Sequence, residues 1–123
     1  MKVSFNDFKR EYKSNSAALR KASERVMSSG YYILGPEVKG FEASFAKYIG
    51  ATEAIGVANG LEALQIALLA LGIGDGDEVI TTSLSAVATS LAITAVGATP
   101  VFADIDAFYD IDPAQIEKKI TSK

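Results

Sequence analysis

The chain of 123 residues has the length of one ordinary domain, and 49% of its residues are hydrophobic, which is enough to predict a single packed core. Its formal net charge is −3, with twelve Lys and Arg residues scattered among fifteen acids, so we expect no nucleic-acid partner. Cysteine and histidine are both missing from the sequence. This excludes disulfides, thiolate nucleophiles, zinc–cysteine sites and the usual general base.

The sequence contains no stretch typical of membrane insertion or secretion. The amino terminus lacks the long apolar run of a signal peptide. Every apolar stretch is interrupted by polar residues well short of the ~20 that cross a bilayer. We therefore expect a soluble, cytoplasmic protein with no membrane partner.

Two helices are predicted in the first fifty residues. Asn6-Asp7 favours the start of the first helix and Gly30 its end, and apolar residues at three- and four-residue steps give this helix one apolar stripe. After an extended stretch at residues 31–34, Pro36 opens the second helix and Gly50 closes it. The residues expected to form the buried face of the second helix are Val38, Phe41, Phe45 and Tyr48.

From residue 53 onward, short apolar strands alternate with helices of about a dozen residues. The predicted strands are 54–58, 78–81 and 100–103, the predicted helices are 61–71 and 86–96, and a further helix starts at Asp112. This alternation predicts an α/β fold with parallel strands and helices on both faces. We divide the chain into an amino-terminal helical segment, residues 1–52, and a truncated three-strand parallel unit, residues 53–123. Because such a sheet has unpaired edges, we expect self-association or marginal folding.

The turn Asn59-Gly60-Leu61-Glu62, from the first predicted strand into its helix, is the most informative motif. Asn59 favours a helix cap, and Gly60 permits a ligand to approach the backbone closely. The first turn of a helix has free N–H groups at the positive end of the helix dipole, where a phosphate can bind. The same spacing fits a capping box of Asn59 and Glu62 without any ligand. Glu62 would also compete with a phosphate unless its side chain points away.

Other phosphate-binding motifs do not fit. Gly56 and Gly60 are wrongly spaced for the dinucleotide fingerprint, and no P-loop sequence is present. The glycines of residues 72–76 run from a helix into a strand, so they predict a helix stop and a turn.

Polar residues also follow the second and third predicted strands. Because strand-to-helix loops of a parallel sheet share one edge, the loop at residues 82–87 would face the same site as the first loop; alternatively, Ser83 or Ser85 simply caps the next helix. Asp104 and Asp106 leave the third strand at this edge. They fit turn-forming acids better than acid–base or metal-binding groups, and we predict no metal site.

Taken in order, these motifs resemble the DegT/DnrJ/EryC1/StrS family of pyridoxal-phosphate-dependent sugar aminotransferases. The matching segments are 32–38 (YILGPEV), 41–42 (FE), 45–48 (FAxY), 59–64 (NGLEAL), 70–80 (ALGIGxGDEVI), 97–106 (GATPVFADID) and 111–113 (IDP), where x marks a position that does not count toward the match. The resemblance spans essentially the whole chain in the family's order.

The resemblance implies the amino-terminal part of the large domain of fold-type I pyridoxal-phosphate enzymes, with residues 53–123 as its first βαβαβ part. The backbone at Gly60, Leu61 and Glu62 would hold the phosphate of the cofactor, pyridoxal 5'-phosphate. Many relatives carry Ser or Thr where Leu61 stands, so Leu61 offers only its amide. Position 86 is often an aromatic residue that stacks on the cofactor ring, and Ala86 would leave this stacking weak.

Two further expectations follow from the resemblance. Tyr32 and Gly35 lie in a segment that resembles a family loop near the substrate and the dimer partner, although a buried aromatic connector fits the same residues. The family's Schiff-base lysine, and the aspartate that pairs with its cofactor ring, would lie beyond residue 123. No lysine of this chain matches that motif, so we expect no catalytic residue here and no activity of the chain alone.

The parent enzyme implied by the resemblance is a homodimeric transaminase that transfers an amino group from glutamate to a nucleotide-linked keto-sugar, as in lipopolysaccharide or antigen biosynthesis. One alternative is a non-catalytic interaction module of the same ancestry. Another is a small flavodoxin-like binder of a phosphate ligand.

Overall fold

The computed structural model describes residues 5–123, in which the protein forms five helices and two strands. In chain order these are α1 (Phe8–Ser29), α2 (Pro36–Ile49), α3 (Gly60–Ala70), β1 (Glu78–Thr82), α4 (Val87–Ala95), β2 (Thr99–Ala103) and α5 (Pro113–Lys119). No helix in this part of the chain is both long enough and apolar enough to span a bilayer. The fold is mixed α/β with parallel strands, as the sequence predicts.

The chain divides into two compact units, the first ending at Gly56 and the second comprising Val57–Lys123. Residues 1–4 of the predicted amino-terminal segment lie outside the described residues. The roles assigned to segments 1–52 and 53–123 stay predictions.

In the first unit, local capping sets the ends of α1 and α2. The Asp7 side chain accepts a hydrogen bond of 3.0 Å from the Arg10 N–H at the start of α1. Gly30 ends this helix and Gly50 ends α2, with φ angles of 69° and 75° that glycine adopts without strain. Pro36 occupies the first position of α2, where its missing N–H costs no helical hydrogen bond. The predicted bounds of both helices are confirmed.

In the second unit, two parallel strands pair in a single register. β1 pairs with β2 from Glu78 opposite Thr99 to Thr82 opposite Ala103. The chain returns between them through α4, which packs against both strands, while α3 packs against α4 and α5 against β2. The second and third predicted strands and the helices around them are therefore confirmed to within one or two residues.

The predicted first strand, residues 54–58, is wrong, and so is the three-strand sheet. These residues have no regular secondary structure, and the sheet has two strands. The Gly56 N–H, which would serve a strand ladder, donates instead to a carboxylate oxygen of Glu42 at 2.8 Å. Ile55 is 79% exposed. An apolar run indicates a segment that avoids water, but a strand also needs a neighbour to pair with.

The predicted buried face of α2 is also wrong for this chain, because Phe41, Phe45 and Tyr48 are exposed, Tyr48 by 86%. The Phe41 and Phe45 rings stack on each other with their centroids 5.6 Å apart, and both stay exposed. Helical spacing shows which residues share a face but not what covers that face. Among residues 5–123, the buried hydrophobic residues are small apart from one isoleucine: Ala46, Ala92, Ile93, Ala98 and Ala103.

We expect the isolated chain to self-associate, because so much apolar surface is accessible to a second copy. Static light scattering over a dilution series should show an apparent mass that rises with concentration. Tyr48→Lys should reduce this rise, since it replaces an exposed ring by a charge. Ala43→Lys adds the same charge at a small exposed residue of α2 and should have less effect. A monomer at all concentrations would contradict the expectation.

Candidate functional site

The start of α3 carries two backbone N–H groups that have no hydrogen-bond partner among residues 5–123. Asn59 is extended and its side-chain oxygen accepts the Glu62 N–H at 3.0 Å. The Ala63 N–H donates to the Asn59 carbonyl at 3.1 Å, which is the first bond of the helix. The N–H groups of Gly60 and Leu61 donate no hydrogen bond within residues 5–123. Two free donors therefore lie at the positive end of the helix dipole.

These donors lie at an open surface. A Cβ atom built on Gly60 would meet no other atom within 4 Å, and Glu62 is exposed. The Asn59 half of the predicted capping box is confirmed. Among residues 5–123 the Glu62 side chain makes no reciprocal bond to the Asn59 N–H. The geometry leaves room for an anion beside the first turn.

The loop after β1 leads into α4 without a side-chain cap. The cap position is Ala86, which is exposed and has no side chain that can accept a hydrogen bond. The Ser85 hydroxyl bonds to the Thr89 hydroxyl at 2.9 Å instead. The alternative that Ser83 or Ser85 caps this helix is therefore wrong. Ala86, the predicted cofactor-ring position, presents only a methyl group.

The loops after β1 and β2 meet at one edge of the sheet, as the sequence predicts for parallel strands. Ser83 and Asp104, which follow the two strands, line a groove of about 340 Å³. Lys119, which the sequence analysis does not single out, lines the same groove with Gln115. The four-residue spacing of Gln115 and Lys119 was the available signal, because it places both on one face of α5.

The acids after β2 form turns. The Asp104 carboxylate accepts the Ile105 N–H at 3.0 Å. One oxygen of Asp106 accepts the N–H groups of Phe108 at 2.8 Å and Asp110 at 3.2 Å. Within residues 5–123, no three Asp or Glu side chains cluster in a way that could hold a metal ion. The interpretation of these acids as turn-forming residues is confirmed.

In the first unit, the residues between α1 and α2 expose the predicted substrate-loop positions. Tyr32 is 63% exposed, so the alternative of a buried aromatic connector is wrong for this chain. Leu34 has a φ of 51°, a left-handed conformation that is uncommon for a residue with a side chain. Gly35 is buried, and a Cβ there would lie 3.0 Å from the Tyr31 carbonyl oxygen. A larger residue at position 35 would require the Tyr31 backbone to shift.

A two-point ion pair joins α1 to α2 beside this connector. The Arg25 guanidinium donates from Nε to one Glu37 oxygen at 2.8 Å and from Nη2 to the other at 3.0 Å. The hydrogen bond from Arg25 lowers the pKa of Glu37 below its ordinary value. Glu37 in turn raises the pKa of Arg25 further above its already high value.

Parallel strands with accessible N–H groups at a helix start are typical of α/β proteins that bind phosphate-bearing ligands. The sequence profile of the DegT/DnrJ/EryC1/StrS aminotransferase family matches residues 13–123, and the chain belongs to this family. The predicted fold class is confirmed, and the flavodoxin-like alternative loses its support.

Individual relatives agree with this assignment. The chain is 54% identical over 106 residues, 85% of its length, to dTDP-3-amino-3,6-dideoxy-alpha-D-galactopyranose transaminase of Aneurinibacillus thermoaerophilus, covering 29% of that protein. Its structure matches DesV of S. venezuelae, solved in complex with a ketimine intermediate, with a TM-score of 0.93 and 47% identity over 98% of this chain and 33% of that one. NtdA of Bacillus subtilis, with bound cofactor PMP, gives a TM-score of 0.90 and 33% identity over 98% and 28%. The chain spans about a third of the length of the curated relatives that it matches.

We expect the Arg25–Glu37 pair to weaken in acid. Because the pKa of Glu37 is lower in the folded chain than its ordinary value of 4.5, the pair stabilises the fold above that pH and is lost as the pH falls through the lowered pKa. Carboxyl-carbon NMR of Glu37 should show the lowered pKa, and Arg25→Gln should raise it towards 4.5. Lys21→Gln, which removes a charge elsewhere on α1, should leave it unchanged. An equal pKa in both variants would contradict the assignment.

Proposed function

We propose that this chain is the amino-terminal segment of a pyridoxal-phosphate-dependent nucleotide-sugar aminotransferase. The complete enzyme would transfer an amino group from glutamate to a keto-sugar linked to a nucleotide, as a cytoplasmic homodimer. The proposal is supported by membership of the family and by relatives named as transaminases of dTDP-linked amino sugars. The observation that carries it is the pair of free N–H groups at Gly60 and Leu61.

These N–H groups fit the phosphate of the cofactor. A phosphate oxygen needs donors at the surface, and the Gly60 and Leu61 N–H groups have no other partner within residues 5–123. The open space at Gly60 allows a close approach. Leu61 contributes only its N–H, so this segment holds the phosphate with backbone donors alone.

Asn59 and Ala86 have different roles at the proposed cofactor site. Asn59 holds the Glu62 N–H, which fixes the first turn of α3 and orients the donors of Gly60 and Leu61. Ala86, at the start of α4, would adjoin the cofactor ring without stacking on it. When bound, pyridoxal phosphate supplies the electron sink that amino transfer requires.

The substrate contacts belong to the first unit in this proposal. Tyr32 presents an exposed ring, and the buried Gly35 lets the backbone pass close to Tyr31 beside it, an arrangement that suits a nucleotide-linked sugar. A tyrosine ring offers both an apolar face and a hydroxyl to such a ligand.

Gly60→Pro should weaken binding of the cofactor in the complete enzyme. Proline fits the first helical position, and the extended Asn59 before it tolerates a following proline, so α3 should persist. The variant loses one N–H donor to a charged acceptor, which contributes about 1.5–3 kcal/mol. We expect the dissociation constant of pyridoxal phosphate to rise about ten- to a hundred-fold, measured by fluorescence titration.

Gly60→Ala is the matched control, because it adds a Cβ at the same place but keeps the N–H. It should bind pyridoxal phosphate more tightly than Gly60→Pro. Pyridoxal, which lacks the phosphate, should bind both variants equally. If the two variants bind pyridoxal phosphate equally well, the Gly60 N–H does not hold the phosphate.

The 123-residue chain alone should not transaminate, because none of its lysines matches the family's Schiff-base motif. Pyridoxal phosphate mixed with the purified chain and reduced with borohydride should leave no single labelled lysine on peptide mapping. A bovine serum albumin sample at equal lysine concentration measures nonspecific labelling. Stoichiometric labelling of one lysine, abolished by its replacement with arginine, would show that the chain carries its own cofactor lysine.

A further inference from the structure

Hydrogen bonds fix the connector between α1 and α2, residues 30–35, although most of its side chains are exposed to solvent. The Ser29 hydroxyl oxygen accepts the Tyr31 N–H at 3.1 Å. The Tyr32 hydroxyl donates to the Met27 carbonyl at 3.4 Å. Both bonds join the connector to the last turns of α1. The connector therefore has a defined conformation without a core beneath it.

That conformation is strained. Leu34 has a φ of 51°, which is unfavourable for a residue with a Cβ and persists only where the surroundings enforce it. Leu34 itself is exposed, so packing of its side chain does not enforce it. The constraint therefore has to come from contacts on either side of Leu34, and the hydrogen bonds of Tyr31 and Tyr32 act on one side only.

The Arg25–Glu37 pair joins the two helices on the other side of Leu34. It is the one salt bridge in residues 5–123, and it links the penultimate turn of α1 to the second residue of α2. Two parallel N–H···O contacts fix orientation as well as distance. Both side chains are about half exposed, so the pair contributes little to global stability. Its main effect is on geometry.

We propose that Arg25 and Glu37 are positioning residues that hold the connector in its strained form and so present Tyr32 to the nucleotide-linked sugar. Both residues act through the connector and do not contact the substrate. The inference rests on the proposed function of Tyr32 and Gly35, and it adds the residues that keep them in place.

Arg25→Gln in the complete enzyme tests the proposal. Hydrogen exchange of peptides covering residues 30–35 should quicken by roughly two- to five-fold, as expected for loss of an exposed ion pair. The KM for the nucleotide-linked keto-sugar should rise by a similar factor. The KM for glutamate and the melting temperature should stay unchanged, which a general structural defect would not allow.

Three further variants sharpen the test. Arg25→Lys keeps the charge but not the two-point geometry and should lie between wild type and Arg25→Gln. The double variant Arg25→Gln/Glu37→Gln should be no worse than either single variant, since both act through one contact. Lys21→Gln on α1 is the control and should match the wild type.

Equal exchange rates in Arg25→Gln and Lys21→Gln would overturn the positioning role. Faster exchange without any change in the KM for the sugar would instead overturn the link between the connector and the substrate. Neither result bears on the phosphate contact, which the Gly60→Pro comparison tests separately, so failures of the two proposals can be told apart.

Discussion

Parallel pairing of β1 with β2 is the constraint on which the second unit depends. Parallel strands cannot be joined by a tight turn, so the chain has to cross back, and α4 provides the crossing. The same pairing brings the ends of both strands to one edge. Ser83 and Asp104 meet in one groove for this reason, although 20 residues, 84–103, lie between them in the sequence.

Features set by a few neighbouring residues could be predicted from the sequence. Asp7 and Asn59 cap helices because a short side-chain oxygen reaches an N–H three residues on. Gly30 ends α1 because it accepts a positive φ, and Asp106 makes a turn because its carboxylate reaches nearby N–H groups. The open donors at Gly60 follow from the same local rules.

Features that depend on distant contacts could not be predicted in this way. The apolar run 54–58 and the aromatic face of α2 both indicate burial, yet Ile55 and Tyr48 are exposed. Such a pattern indicates that these side chains favour an apolar neighbour, but it does not indicate which part of the protein provides that neighbour. In a chain that spans about a third of its relatives' length, that preference is not met within residues 5–123. The Arg25–Glu37 pair was missed for a related reason, because a separation of twelve residues across a connector has no helical or strand periodicity.

At the start of α3, attraction of a phosphate competes with repulsion by the Glu62 carboxylate, and the attraction depends more on short hydrogen bonds than on the helix dipole. The dipole contributes about 0.3–1 kcal/mol at an exposed helix start. Glu62 already places a negative charge there, but it is exposed, so solvent screens it and its repulsion of a phosphate is of the order of 1 kcal/mol or less. Each N–H that donates to a charged oxygen contributes about 1.5–3 kcal/mol. Because Gly60 and Leu61 offer two such donors, their sum exceeds the repulsion, and we expect the turn to favour a phosphate despite the neighbouring carboxylate.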